Sequence, residues 1–260
     1  MLQSINKYYH NNAFDTIKQN TNEIFFMYNT FMENSLSVII PTLQKNLTVL
    51  KKLVQILLDD DIVSEILILN NAIKKLKFNE KSDKIKIITP KENLYVNKSW
   101  NLGIKEIKND LFLIINDDIL PVQNFCSKIV NSGIFKRQNT GLVGINPNFI
   151  MQYSRETVSD IDIPPDTNNF FFLHLPRYKH VSDWGSAFLG LKSNFYEIPE
   201  DLKIIFGDNF LLFKNILNKK MNYQITGLPF NHIHSLSSAD EEFSSIIKSD
   251  IECSAKYLPK

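Results

Sequence analysis

The chain has 260 residues, of which 43% are hydrophobic and 12% aromatic, enough apolar material for the core of one or two domains. Its 29 basic and 28 acidic residues nearly cancel, and no long run of one sign occurs, so a nucleic-acid partner or a polybasic membrane patch is not predicted. Two distant cysteines, Cys126 and Cys253, form neither a disulfide framework nor a zinc motif, which favours a reducing compartment.

The first 34 residues are polar and rich in Asn, with an apolar cluster between Ile24 and Phe31. The spacing of this cluster favours one or two amphipathic helices. We therefore predict a helical extension over 1–34 that packs on the main domain or on a partner, and that could support an oligomer. The opening residues lack a signal-peptide pattern and no apolar run could span a bilayer, so we expect a cytoplasmic protein.

From Leu36 onwards, short apolar runs alternate with amphipathic segments. Strands are predicted at 37–40, where Pro41 should stop the chain, and at 65–69, 85–88, 111–115 and 141–145. Helices are predicted at 46–58, 97–108 and 122–135. This alternation is typical of an α/β fold whose central sheet is mainly parallel and covered by helices on both faces.

The second half is less regular. A proline-containing loop is predicted at 147–168, and a loop of that length is often functional. Strands are predicted at 170–173, 187–191 and 222–228, with a helix at 210–217. Trp184 and Gly185 could shape a binding surface, although a Trp buried in the core explains the first residue equally well.

Polar residues directly follow three of the apolar strands. They are Pro41-Thr42, Asn70-Asn71 and Asn116-Asp117-Asp118. In open α/β sheets, ligands bind at the carboxyl ends of the strands, so these three segments are candidates for one binding site.

Asp117 and Asp118 end a strand that should lie in the middle of the sheet. Burying two like charges is costly unless a cation such as Mg²⁺ or Mn²⁺, which prefers carboxylate oxygens, neutralises them. A solvated turn explains the pair equally well, because Asn and Asp favour turns. We interpret the acidic run Asp59 to Asp61 as such a solvated loop.

Three further segments carry candidate polar groups. His232 and His234 would point the same way on an extended chain and could complete a metal shell, or could be ordinary core or surface histidines. Asp208 precedes a helical pattern, where it could be a simple cap or a general base. The segment from Asn93 to Asn101 is dense in amides, which suit a base or ribose but also serve as caps.

The order of these segments from Leu36 to Ser235 resembles the family-2 glycosyltransferases of the GT-A fold. SVIIPT is similar to the first strand of that family, whose end contacts the nucleotide, and EILILNN to its second strand. ENLYVNKSWNLGI resembles its Asn-rich segment, and LFLIINDDI the strand that ends in its metal-binding motif. FGDNF resembles the segment that carries its catalytic base, and HIHS falls where GT-A enzymes often place a late metal-ligating His.

The resemblance implies a metal-dependent, inverting transfer of a sugar from a nucleoside-diphosphate sugar, with UDP as the nucleotide. Asp208 would be the catalytic base, and Asp118 the direct ligand of Mn²⁺ or Mg²⁺, with His232 or His234. Asp117 would act through water or the sugar hydroxyls. The donor would contact residues of the amide-rich and strand-end segments, namely Pro41, Thr42, Asn70, Asn71, Asn93, Asn101 and Asp117.

On this resemblance, residues 35–260 form one GT-A domain, with a nucleotide-sugar-binding half at 35–120 and an acceptor-binding half at 121–260. The acceptor would be a carbohydrate, a lipid-linked glycan or another hydroxyl compound, as in the synthesis of surface polysaccharides or glycoconjugates. A lipid-linked acceptor could bring the protein to the inner face of the membrane as a peripheral protein.

Three other protein classes were weighed against this interpretation. A sugar-phosphate nucleotidyltransferase would usually carry a Gly-rich phosphate loop after its first strand, but PTLQKNL contains no glycine. A non-catalytic GT-A-like binding module remains an alternative, because Asn-Asn and Gly-Asp-Asn replace the usual acidic motifs. A dinucleotide-dependent oxidoreductase is excluded by the missing G-x-G-x-x-G.

Overall fold

The computed structural model describes residues 35–78, 82–154, 159–179, 181–234 and 241–259. The predicted extension over 1–34 lies outside these residues. The strands are β1 Leu36–Thr42, β2 Val63–Asn70, β3 Ile85–Ile88, β4 Leu111–Ile115, β5 Ile119–Pro121, β6 Thr140–Ile145, β7 Ile150–Ser154, β8 Phe171–Leu175, β9 Ala187–Leu191, β10 Met221–Thr226 and β11 Phe230–His234. The α-helices are α1 Leu47–Leu58, α2 Tyr95–Glu106, α3 Phe125–Asn131, α4 Gly207–Leu217 and α5 Glu241–Ser254.

An eight-stranded sheet with the order β3-β2-β1-β4-β9-β6-β10-β8 forms the centre of the fold. Strands β3, β2, β1 and β4 run parallel to one another, whereas β9 is antiparallel to both of its neighbours. The predicted α/β fold with a mainly parallel central sheet is therefore confirmed. A second sheet of three strands, β5-β11-β7, lies beside it.

Helices cover both faces of the central sheet. Along β1, Val38 and Ile40 join the cluster formed with α1 and α3, whereas Ile39 joins the cluster on the opposite face with α2 and α4. Side chains alternate between the two faces of a strand, so a strand covered on both faces must be apolar at every position. This is why β1, β2 and β4 are continuous hydrophobic runs in the sequence.

The sequence predicted that Pro41 ends the first strand, and this prediction is wrong. Strand β1 continues through Pro41 to Thr42 and pairs with β2 over its whole length, whereas its pairing with β4 ends at Ile39 and Ile114. Pro41 thus lies where β1 has a partner on one side only, a position at which a missing N–H is tolerated. The continuation carries Thr42 up to the level of the polar residues that follow β2 and β4.

The small sheet corrects three further expectations. The predicted loop at 147–168 contains strand β7, and the His-x-His segment lies within strand β11 rather than after the last strand. The predicted helix at 122–135 is shorter, because α3 spans only Phe125–Asn131, and the unpredicted strand β5 precedes it at Ile119–Pro121. Pairing of β11 with β5 and β7 brings these distant segments together, which local periodicity could not indicate.

Asp60 is not part of a solvated loop. Its side chain is buried, and its oxygens accept hydrogen bonds from the backbone N–H groups of Cys126 and Ser127 and from the Ser127 hydroxyl. It therefore satisfies the free N–H groups at the start of α3 from a distant part of the chain.

The C-terminal helix α5 was not predicted from the sequence. The C-terminal segment 241–259, which α5 begins, packs onto α2 and α4 through edge-to-face aromatic contacts. Phe243 contacts Tyr95 and Tyr257 contacts Phe210, each with ring centroids 6.2 Å apart. Within the described ranges, none of the helices has the length and apolar character needed to cross a membrane.

Candidate active site

Thr42, Asn70 and Asp117 lie in one row at the carboxyl end of the parallel strands. The register pairs Thr42 with Asn70 across β1 and β2. It also pairs Ile39 with Ile114 across β1 and β4. Thr42 lies three residues after Ile39, and Asp117 lies three residues after Ile114. The Thr42 hydroxyl donates a hydrogen bond to Asp117 Oδ2, which places the two side chains next to each other at this edge.

The amides of Asn70 and Asn71 are both held by neighbours. Asn70 Oδ1 accepts from Gln44 Nε2 at 2.8 Å, and its Nδ2 donates to the carbonyl of Lys74 at 3.0 Å. Asn71 Oδ1 accepts from the N–H of Leu94 at 3.1 Å, and its Nδ2 donates to the Ser99 hydroxyl at 2.9 Å. These bonds fix the direction in which each side chain points at the end of β2.

Asn93 and Asn101 occupy different environments. Asn93 precedes α2, and its Oδ1 accepts the N–H of Tyr95 at 2.8 Å. Asn101 is buried inside α2, and its amide forms two hydrogen bonds with the backbone of Ile198. Asn93 is thus part of the turn that begins α2, whereas Asn101 joins α2 to the segment before α4. Their predicted contacts with a donor remain predictions.

Asp118 and His232 are in contact at the junction of the two sheets. His232 Nε2 lies 3.3 Å from Asp118 Oδ1, and both side chains are almost entirely buried. The N–H of Ile233 donates to the Asp118 carbonyl at 2.9 Å, which locks β11 beside the residues that follow β4. The side chain of His234, at the end of β11, falls outside the described part of the structure, so its role stays a prediction.

Electrostatic interactions perturb the carboxylates and the imidazole. Burial, reinforced by the neighbouring Asp118 charge, raises the pKa of Asp117 to about 7. Burial lowers the pKa of His232, but the carboxylates of Asp118, Asp183 and Asp117 together more than offset this, so the net pKa of the imidazole is raised. A site that concentrates negative charge in this way favours a cation.

Asp208 is the second residue of α4 and not the residue that precedes it. Its Oδ1 accepts the N–H of Asn209 at 2.9 Å, so it is not an N-cap in the usual sense. Gly185 lies against its carboxylate, because a Cβ added to Gly185 would be 2.8 Å from Asp208 Oδ2. The backbone N–H of Asn116 donates to the carbonyl of Ser186 at 2.9 Å. Because β4 and β9 are antiparallel, Gly185, the residue before Ser186, is close to the level of Asp117, the residue after Asn116.

Burial raises the pKa of Asp208 to about 6. Asp183, two residues before Gly185, is negative and contributes to the raised pKa values of both Asp208 and His232. The charge of Asp183 therefore acts on both His232 and Asp208. Asp183 also has a left-handed backbone, with φ of 54°, a conformation that Asp tolerates and that often occurs at functional sites.

Trp184 belongs to the core. It is fully buried, its indole N–H donates to the carbonyl of Tyr223 at 3.2 Å, and its ring stacks on Phe188 with centroids 5.3 Å apart. The core interpretation of this residue is therefore confirmed. Trp184 anchors the turn that presents Asp183 and Gly185.

The fold brings most of the predicted site residues to one edge of the sheet. Thr42, Asn70 and Asp117 form one row, and the Asp118–His232 pair follows Asp117 directly. Sequence reasoning missed Gln44, Ser99 and Asp183. Gln44 follows β1 by two residues, so the rule that selected Thr42 could have included it, whereas no local signal identifies Asp183.

Comparison with known proteins gives a fold but no close relative. No known sequence family matches the chain, and no curated protein sequence does. Among solved structures, a crystal structure of GalNAc-T7 with UDP, GalNAc and Mn²⁺ superposes with a TM-score of 0.57 at 13% identity, covering 77% of this chain and 43% of that one. The chain thus spans less than half the length of that structure.

Two structures of TarS from S. aureus are similar over a larger share of their length. TarS residues 1–349 superpose with a TM-score of 0.51 at 12% identity, covering 86% of this chain and 72% of that one. The same region in complex with UDP gives a TM-score of 0.51 at 13% identity, covering 87% of this chain and 67% of that one. Together with the sheet order and the helices on both faces, these similarities show that the chain has the GT-A fold of glycosyltransferases.

Proposed function

We propose that this chain transfers a sugar from a nucleoside-diphosphate sugar, with UDP as the nucleotide, to a hydroxyl of a carbohydrate or lipid-linked glycan acceptor. The observation that carries the proposal is the contact of Asp118 with His232 beside the Thr42–Asp117 bond, at the carboxyl end of the central strands. Structures with the same fold contain UDP, and one of them also contains GalNAc and Mn²⁺.

The donor would lie across the ends of β1, β2 and β4. Thr42 and Asn70 are buried at the same level and are already hydrogen-bonded to Asp117 and Gln44, so they would form the floor on which the base and ribose lie. Asn71 and Asn93 border this row at the start of α2. Ligands of open α/β sheets occupy this edge because loops there diverge and leave a crevice.

Mn²⁺ or Mg²⁺ fits the side chains present. Asp118 and His232 offer one carboxylate and one imidazole, and burial together with the Asp118 charge raises the pKa of Asp117 to about 7, so a cation there would favour its ionised form. Among the described residues no group of three His, Cys, Asp or Glu side chains could hold a metal. Two protein ligands suffice where phosphate oxygens and water fill the other positions, as is usual for Mg²⁺ sites. Bound there, the cation would neutralise the charge of the leaving diphosphate.

Asp208 is proposed as the base of an inverting, single-step transfer. Its carboxylate would accept the proton of the acceptor hydroxyl while that oxygen bonds to the anomeric carbon and the bond from this carbon to the diphosphate breaks. A carboxylate with a pKa of about 6 is ionised at neutral pH and is a stronger base than an ordinary Asp. No covalent sugar–enzyme intermediate is needed, so one positioned base is enough.

The proposal is tested by measuring UDP binding by calorimetry with and without Mn²⁺, and donor turnover with a panel of nucleotide sugars. We expect UDP to bind much more tightly with Mn²⁺, and one UDP-sugar to release UDP in the presence of Mn²⁺. Equal UDP affinity with and without Mn²⁺ would refute the metal role. Metal-dependent binding without turnover of any donor, even with glycan acceptors present, would instead favour a non-catalytic GT-A module.

A further inference from the structure

Asp250, in α5, is a fully buried carboxylate whose partners are all backbone groups of one short segment. Asp250 Oδ1 accepts the N–H of Lys203 at 2.9 Å, and Oδ2 accepts the N–H groups of Ile204 at 2.7 Å and Ile205 at 2.9 Å. Hydrogen bonds to an ionised carboxylate are stronger than neutral ones, and a buried carboxylate depends on them. Asp250 therefore fixes three consecutive residues of the segment that precedes α4.

Asn97, in α2, holds the same segment from the other side. Its Nδ2 donates to the carbonyls of Leu202 and Ile205, each at 3.1 Å, and its backbone N–H donates to the carbonyl of Lys203 at 3.0 Å. Asp250 thus accepts hydrogen bonds from the N–H groups of the segment, while Asn97 donates hydrogen bonds to its carbonyl groups. Together they leave little freedom to residues 202–205.

Residues 202–205, which Asp250 and Asn97 hold, are followed two residues later by Gly207 and then by the candidate base Asp208. Phe206 follows this segment with a left-handed backbone, φ of 64°, which a bulky residue adopts only where its surroundings impose it. Gly207 then packs on Asn97 so closely that an added Cβ would lie 2.1 Å from Asn97 Oδ1. Asp208 is the next residue, so its position depends on where this segment is held.

We propose that Asp250 is a positioning residue for Asp208, acting through the backbone of Lys203, Ile204 and Ile205. The inference rests on the proposed function, since it assumes that Asp208 is the base of a sugar transfer. All of the described hydrogen bonds of Asp250 go to residues 203–205, and none goes to the proposed donor-side residues or to the Asp118–His232 pair. Loss of Asp250 should therefore disturb turnover and leave donor binding intact.

The test compares Asp250→Asn with Asp201→Asn. Asp201 is a matched control, because its carboxylate also bonds the C-terminal segment, accepting from Tyr257 Oη at 2.7 Å and Lys256 Nζ at 3.0 Å, but does not bond residues 203–205. For Asp250→Asn we expect kcat to fall on the order of 10- to 100-fold, because a small misplacement of a catalytic group has effects of that size. The donor KM and the affinity for UDP with Mn²⁺ should stay within about twofold of wild type, and the control should match wild type throughout.

Two more measurements separate positioning from general damage. Hydrogen exchange should accelerate at the amides of residues 203–205 in Asp250→Asn, with the strands of the central sheet unchanged. The double variant Asp208→Asn/Asp250→Asn should be no slower than Asp208→Asn alone, because Asp250 has no effect once its target is removed. Should Asp250→Asn fail to fold, Asp250→Glu keeps the charge and should lose kcat by a smaller factor with the donor KM unchanged.

The outcomes distinguish failure of the inference from failure of the proposed function. If wild type transfers sugar and Asp208→Asn does not, a folded Asp250→Asn or Asp250→Glu with full kcat overturns the inference alone. A loss of donor affinity as large as the loss of kcat also overturns it. If wild-type protein binds UDP and transfers no sugar, the proposed function fails and the inference fails with it.

Discussion

The proposed donor side and the proposed acceptor side of the site are built in different ways. On the donor side, Thr42 and Asn70 end β1 and β2 and Asp117 lies two residues after β4, so the strand register and the Thr42–Asp117 hydrogen bond set their relative heights. On the acceptor side, Asp208 lies in the first turn of α4, and its position depends on the close approach of Gly185 and on the segment that Asn97 and Asp250 hold. The first arrangement is fixed by the core, and the second by a few polar contacts.

This difference has consequences for substitutions. A change on the donor side removes a ligand group but leaves the strand ends in place, because apolar packing on both faces holds them. A change on the acceptor side, even at a residue that touches no substrate, can move the base. Donor-side variants should therefore mainly alter nucleotide and metal affinity, and acceptor-side variants should mainly alter turnover.

The largest expected effect is at Asp208. Asp208→Asn keeps the size of the side chain but cannot accept the acceptor proton, so kcat should fall on the order of 10²- to 10⁴-fold. Affinity for UDP with Mn²⁺ should not change, because Asp208 is on the acceptor side. Steady-state kinetics and calorimetry on the same preparations measure both quantities, with Asp201→Asn as the carboxylate control. Full transfer activity of Asp208→Asn with every accepted donor would show that the base is another residue.

Asp118→Asn and His232→Gln should give the opposite pattern. Each removes one of two proposed protein ligands of the cation, so Mn²⁺-dependent UDP affinity should fall by at least 10- to 100-fold, about the size seen even for outer-shell partners of metals. UDP affinity without Mn²⁺ should change little. The measurement is calorimetry of UDP binding across a series of Mn²⁺ concentrations.

His174→Gln is the control for His232→Gln, because His174 lies on the exposed edge strand β8. It should bind UDP and Mn²⁺ as wild type does. If His232→Gln and His174→Gln both retain the full Mn²⁺ dependence, the imidazole of His232 has no part in metal binding, and Asp118 would be the remaining candidate ligand.

Gly185→Ala tests the acceptor side alone, because it displaces the Asp208 carboxylate without changing a polar group. The new Cβ would meet Asp208 Oδ2 at 2.8 Å and Asp208 Cβ at 2.9 Å, so the carboxylate must shift. We expect kcat to fall about tenfold with an unchanged UDP affinity, since only the base is displaced. Ser182→Ala, at an exposed position in the same turn, should behave as wild type; equal kcat values for the two variants would show that Asp208 accommodates the added methyl group.

The same difference explains what the sequence could predict. The alternation of apolar strands and helices predicts the sheet and its two covered faces, and the polar residues after β1, β2 and β4 predict the donor side. Asp60 and Asp250 could not be assigned from local pattern, because each binds backbone N–H groups of a distant segment. Strand β11 was also missed, since its partners β5 and β7 are far from it in sequence. Periodicity in the sequence therefore predicts strands and helices, but it does not predict which distant segments are joined by polar contacts.

The smallest effect concerns stability and its dependence on pH. The pKa of Asp208 is raised from 3.8 to about 6 in the folded protein, so the folded state binds more protons than the unfolded state between these values. Stability therefore falls as pH rises through this window, and above pH 6 the Asp208 charge destabilises the wild type relative to Asp208→Asn. Asp208 is half-buried, so solvent screens part of this effect and the difference in the free energy of unfolding should be on the order of 1–2 kcal/mol.

Urea unfolding of wild type and Asp208→Asn at several pH values between 4 and 8 measures this difference. We expect the two proteins to be about equally stable near pH 4, and the variant to be the more stable one above pH 6. A variant that is inactive yet more stable would fit a carboxylate kept for turnover at the expense of stability. A variant that is less stable at pH 8 would mean that the Asp208 charge stabilises the start of α4, and the acceptor side would then be held partly by the proposed base itself.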